Sequence, residues 1–359
     1  MLLDVAREFC RDKSPIAAVR AQLDTASGFD RALWDEMVAL GWAGIALPES
    51  CGGSGLGIAA LVPVVEAMGR AMLGTPLISS ALAGQLLLRA ANNEQSERLL
   101  PAIAAGAPAT LALLDNGDWG DAGVALVLDE EHVLRGAKKF VPDAAVANLF
   151  VVSVTYRGSA ALAVVRAAQL GVGAVHSNTL IDQTKRSANV DFSGVRVDDN
   201  NVIAGPGVTA ALRDIRLLGA LLVAAEATGS AAACLDTMVD YLKTRKQFGK
   251  LIGSYQALKH PTVDILTATD SARSFIYHAA TVVGDATLDT DAEIACRMAK
   301  AHASQTLSYA ADRAVQFHGG MGFTYDCDAQ LYIRRAQWGQ QQFGDAQHHR
   351  KRLATLLLD

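Results

Sequence analysis

Two short stretches carry residue types suited to gripping a pyrophosphate. RKQFGK at 245–250 follows a long helical pattern, and QFHGGMGF at 316–323 ends another. A pyrophosphate needs a cation and backbone N–H groups that approach closely. Arg245 supplies a planar guanidinium fork, Gln247 an amide and Phe248 an apolar wall. Gly319 and Gly320 let main chain approach a ligand without a Cβ, and Gln316 adds a second amide. Each feature has an ordinary alternative. A glycine pair between helices is commonly a C-cap, and an arginine at a helix end complements its dipole. Gln256 suits a ligand contact or a helix-packing amide equally. The joint appearance of these residues in this order favours a ligand.

The elements that must position them fall into three blocks. From 1 to 109 the pattern is helical: Phe29, Leu33, Met37 and Leu40 recur at three- and four-residue spacing, and Gly41 supplies a stop. From 110 to 204 short β-prone runs such as LFVVSV and ANVDFSGVRV alternate with turn residues, which predicts a small β-barrel or sandwich. From 205 to 359 four long helical segments predict a bundle, the first running through RKQFGK and the fourth from Cys327 to the end. The expected fold is a multi-domain α+β chain: an N-terminal all-α domain, a middle β-barrel or sandwich domain and a C-terminal four-helix bundle.

Composition agrees and excludes several classes. Of 359 residues, 51% are hydrophobic and only 6% aromatic, a mix that favours helix packing. The net charge of −5 comes from interspersed signs with no basic block, which argues against nucleic acid. Five scattered cysteines without a CxxC pair read as reduced thiols. The histidines show no HExxH or similar spacing, so no metal is expected. MLLDVAREFCRDKS lacks the apolar core of a secretory signal, and the run LLGALLVAA stops at Glu226, short of a membrane span. A cytoplasmic protein without a membrane contact is expected.

The helical–β–helical order, LGWAGIALPESCGGSGLG near the N-terminus, VDFSGVRV, TRKQFGKLIGSYQALKHPTVDI and QFHGGMGF together resemble the acyl-CoA dehydrogenase flavoprotein family. The likeness covers nearly the whole chain. It is to the short bacterial form, including the kind found in heteromeric steroid-degrading dehydrogenases. The resemblance implies FAD, with its ring between the β domain and the bundle and its ADP end on a neighbouring subunit at residues of the RKQFG and QFHGG type. It also implies α,β-desaturation of an acyl-CoA thioester, electron-transfer flavoprotein as acceptor, and a homo- or hetero-tetramer with a related chain.

The sequence departs from that family where proton removal occurs. The position of the usual glutamate base holds Phe343, and the alternative position on the long helix holds Gly219. Neither accepts a proton. Asp345, two residues past Phe343, is the nearest candidate base, with an N-cap as its ordinary role. Glu226 lies about 10 Å further along the helix from Gly219, and a paired structural acid is its expected role. An arginine common near the substrate is replaced by Ala220; Gly219 and Ala220 together either open room for a bulky acyl group or permit close helix packing. The T-E-x-x-x-G-S-like stretch is reduced to LALLDNGDWGDAG. In KKFVPD, Pro142 stands where a hydroxyl would bond the flavin, and proline offers no donor. Two functions follow from the resemblance: an FAD-dependent acyl-CoA dehydrogenase with a relocated base, or a non-catalytic partner subunit that completes another chain's FAD site.

Overall fold

The computed structural model describes residues 2–120, 123–284 and 286–358. Helices α1 (Leu2–Lys13), α2 (Ile16–Ala21), α3 (Arg31–Ala39), α4 (Leu61–Arg70), α5 (Leu77–Ala90) and α6 (Asn93–Ala104) form the first block. The Asp30 carboxylate starts α3 by accepting the Ala32 N–H at 2.8 Å. The expected apolar stripe is shifted there. Phe29 and Met37 are buried but Leu40 is exposed, and Trp34 fills the core with its indole N–H on the Gly106 carbonyl at 2.9 Å. The helix begins only after Phe29, so the stripe turns one position away from the expected one.

The middle block holds β1 (Ala109–Ala112), β2 (Val127–Leu128), β3 (Leu134–Arg135), β4 (Ala137–Pro142), β5 (Leu149–Tyr156), β6 (Ser159–Arg166), β7 (Val175–Ser177), β8 (Ser187–Asp191) and β9 (Val202–Ala204). One sheet runs β3-β2-β5-β6-β9, with β1 parallel to β5; the other runs β4-β8-β7. Phe150, Val152, Val190 and Phe192 are buried in a separate core in this block. It is the sandwich alternative of the two expected.

The third block holds α7 (Gly207–Thr244), β10 (Lys246–Gln247), β11 (Lys250–Leu251), α8 (Gln256–Val282), α9 (Thr290–His318), α10 (Ala329–Gly339) and α11 (Ala346–Leu358). Two expectations are corrected. The first long helix ends at Thr244, and KQFGKL is a hairpin whose two turn residues, Phe248 and Gly249, both have positive φ, the geometry that matches strand twist. The tail is two helices, broken at 340–345, where Phe343 (φ 57°) and Gly344 (φ 96°) leave helical space. Helix α7 is long and apolar enough to cross a membrane, but its most apolar window is 100% buried in protein, as befits a core helix.

Helix α7 crosses α4 at backbone-to-backbone range. A Cβ on Gly229 would overlap the Glu66 carbonyl oxygen, and one on Gly69 would overlap that of Glu226. The Ser230 hydroxyl donates to the Gly69 carbonyl at 2.8 Å across the same crossing. This notch fixes the N-terminal block against the helix that carries Gly219, Ala220 and Glu226.

Candidate active site

Two separate places collect the residues of interest. The first is an open groove where α7 and α9 end. Arg245, Gln247, Phe248, Gln316, Gly319 and Gly320 all line it. Tyr241 and His318 stack at 4.3 Å and tie the two helix ends together. Gln256 begins α8 between the lining residues Tyr255 and Ala257, and it is exposed to solvent.

The groove fits the charged middle of a dinucleotide. Arg245 is exposed and lines the groove. Gly319 has φ +61° and ψ −140°, a conformation that side-chain-bearing residues avoid. A Cβ on Gly320 would meet nothing within 4 Å. Its bare backbone is therefore not demanded by this chain's own packing. Phe248, Phe323, Tyr325 and Met321 expose large apolar surface nearby, as expected of a face that a ligand or a second chain covers.

The second place is a cleft between the three blocks. Trp119, Phe140, Asp143, Lys185, Glu226 and Phe343 are among its lining. Trp119 packs at 4.9 Å on Phe140 and edge-on at 5.3 Å to Trp338. Thr75 Oγ1 and Gln342 Nε2, which belong to lining residues, are buried without a hydrogen-bond partner. Orphaned donors beside aromatic walls suit a flat ring with polar edges. Pro142 lines the cleft and supplies no donor. Two nearby N–H groups are engaged: Phe140 donates to the Asn189 side chain at 3.2 Å and Asp143 to the Arg186 carbonyl at 3.1 Å. Asp121 and Ala122 of the degenerate DNGDWGDAG stretch lie outside the described residues.

The expected catalytic group does not reach this cleft. Asp345 caps α11, its carboxylate accepting the His348 N–H at 2.7 Å and its carbonyl the His349 N–H at 3.1 Å. Buried Lys300 holds the preceding turn by donating to the carbonyls of Gly339 and Gln340 at 3.1 and 3.0 Å; burial pushes its pKa down to about 7. Asp345→Ala should lower stability by about 1 kcal/mol, the usual loss of a cap, and leave any turnover unchanged. Thermal melts and a steady-state assay check both halves.

Gly219 and Ala220 do not open space either. Ala220 is fully buried, and the notch at Gly219 is filled by Phe343, whose Cζ would lie 2.5 Å from a Cβ at that position. Glu226 does line the cleft, but Lys185 Nζ lies 2.5 Å and Arg335 NH1 3.2 Å from its Oε1. Burial opposes its ionisation, yet these two cations hold its pKa below the usual value. It is the paired structural acid expected, a poor proton acceptor.

The acid that sequence reasoning missed is Asp143. It is half-buried, accepts from the Ser79 hydroxyl at 2.6 Å and faces the cleft. Burial pushes its pKa up to about 6; Ser79, Lys185 and Arg186 act against burial, and Glu226 acts with it. An acid immediately after Pro142, in a turn with φ +51°, was the available signal. The folded chain binds this proton more tightly than the unfolded chain. Its stabilising contribution is thus complete below about pH 4 and is lost as pH rises through about 6. Asp143→Asn should therefore match the native chain near pH 4 and exceed it at pH 8 by about 1 kcal/mol, solvent discounting the full displacement. Denaturant titrations at the two pH values check this.

Comparisons with known proteins converge on one family. Residues 1–107 match the acyl-CoA dehydrogenase N-terminal domain and residues 206–358 its C-terminal domain. The chain is 30% identical to acyl-CoA dehydrogenase IpdE2 of Mycolicibacterium smegmatis, over 94% of this chain and 91% of that protein. It is 29% identical to the caffeyl-CoA reductase-Etf complex subunit CarC of Acetobacterium woodii, over 90% and 88%. Among solved structures, a variant of the Tcur3481–Tcur3483 steroid ACAD superposes with a TM-score of 0.86 at 28% identity, covering 99% of this chain and 96% of that one. The ChsE4–ChsE5 complex of Mycobacterium tuberculosis shares the fold with a TM-score of 0.87 at 24% identity, over 100% and 96%. With its domain order, its groove and its cleft, the chain belongs to the acyl-CoA dehydrogenase family, FAD-dependent oxidoreductases that act on the CH–CH bond of acyl-CoA thioesters.

Proposed function

We propose that this chain is the partner subunit of a two-chain acyl-CoA dehydrogenase. Its groove grips the dinucleotide end of an FAD whose ring serves a related chain, and its own cleft removes no proton. The observation that carries this reading is the Phe343 ring seated in the Gly219 notch, so that both positions at which the family places its base are apolar and fill one another. When bound, the flavin supplies acceptance of the hydride from the thioester's β-carbon. Arg245 would neutralise the phosphates, Gly319 and Gly320 would admit them to bare backbone, and Phe248 would wall off water. Likeness to the Tcur3481–Tcur3483 steroid ACAD supports a related chain as partner and a bulky steroid-derived acyl-CoA as the assembly's substrate. The Etf-linked relative supports electron-transfer flavoprotein as acceptor, and a cytoplasmic heterotetramer is the assembly this reading implies.

Purification tests it. The chain alone should be colourless and inert toward acyl-CoA, and should hold FAD only when co-purified with a related chain. A yellow homomer bleached by acyl-CoA would overturn the reading. A second reading, a self-sufficient dehydrogenase, has one observation in its favour: Asp143 is a carboxylate that lines the cleft, and burial there raises its pKa toward the range of a general base. It requires Asp143→Asn to slow that homomer by roughly 10²-fold or more.

A further inference from the structure

Phe343 stands between two cavities. The inner one is the cleft already described. The outer one is lined by Arg213, Arg216, Arg297, His348 and His349, together with Phe343 itself. Arg216 and Phe343 are the residues that border both. Among its cations, Arg213 pairs with Asp214 at 2.8 Å and Arg297 with Glu293 at 2.7 Å. The buried His349 Nε2 has no hydrogen-bond partner.

We infer that Phe343 is a plug that shuts this chain's own acyl channel. A CoA thioester is a long molecule with phosphates at one end and an apolar group at the other. To use this chain it would need its charged end among outer cations and its acyl group between the aromatic walls of the cleft. Phe343 borders both cavities, and its ring already occupies the space a side chain at Gly219 would need. The plug is held in an unfavourable backbone state: φ 57° is uncommon for an aromatic residue and persists only where surrounding packing imposes it. The turn that imposes it is anchored on one side by Lys300 on the Gly339 and Gln340 carbonyls and on the other by the Asp345 cap. Exchanging a carboxylate for this ring thus removes the base and closes the path in one step. The inference rests on the partner-subunit reading and adds to it that the idle cleft excludes substrate by shape as well as lacking a base.

The test is isothermal titration of the co-purified assembly with octanoyl-CoA, with free CoA as the control. Phe343→Ala should create a further octanoyl-CoA site on each copy of this chain, at least about tenfold tighter than any residual binding there. Phe343→Leu, which keeps more of the plug and of the fold, should give a smaller gain. Thermal midpoints identify any variant that has lost its structure. An unchanged binding stoichiometry in a folded Phe343→Ala or Phe343→Leu assembly would overturn the plug, as would a native assembly that already binds octanoyl-CoA in this chain. Failure of the partner-subunit reading looks different: the native chain alone would reduce its own flavin with octanoyl-CoA.

Discussion

Gly229→Ala should leave little folded protein, or lower its melting midpoint by at least about 10 °C, equivalent to several kcal/mol in a chain of this size. Glycine meets glycine where α4 crosses α7, and a methyl on Gly229 would overlap the Glu66 carbonyl oxygen. Neither neighbour is the free end of a flexible side chain; both are helix backbone, so relief requires moving whole helices apart. That movement would also break the Ser230 to Gly69 hydrogen bond. Gly207→Ala is the control. That glycine opens α7, and a Cβ there would meet nothing within 4 Å. Its variant should melt with the native chain. Equal midpoints for the two variants would show that the crossing is not packed as described.

Glu226→Ala should destabilise the chain by about 3 kcal/mol, as expected when one member of a buried ion cluster is removed. Arg335 is fully buried and lies between Glu226 at 3.2 Å and Asp182 at 3.0 Å. Without Glu226 the guanidinium keeps one carboxylate, and Lys185 loses its partner. Glu226→Gln keeps an acceptor oxygen and should cost distinctly less. Denaturant unfolding of both variants checks the order. A small and equal loss would mean that Glu226 is replaceable by an uncharged group and that its role lies elsewhere.

The convergence of the RKQFGK and QFHGGMGF residues on one groove was legible because each of the two motifs is local. Arg245, Gln247 and Phe248 sit on one hairpin, Gln316, Gly319 and Gly320 at one helix end, and only the meeting of the two needed the fold. The loss of a donor at Pro142 was legible for the same local reason. The base was not. Asp345 looked available because sequence separation from Phe343 is short, but a residue one place before a helix has its carboxylate drawn to the first free N–H groups. The pairing of Phe343 with Gly219 joins residues far apart in the chain, and no spacing rule reports it. Asp143 was passed over because a turn acid after proline is ordinarily solvated; here Ser79 and the packing of three blocks draw it into the cleft.

The most direct measurement is the flavin content of the co-purified assembly when only this chain carries Arg245→Ala. Arg245 lies in the open groove and lines no part of this chain's own cleft. If the groove holds the charged end of FAD for a related chain, the variant assembly should form normally yet retain at most about a tenth of the native flavin, since a charge-assisted phosphate contact contributes about 1.5–3 kcal/mol. Full flavin retention in a correctly assembled variant would contradict the account.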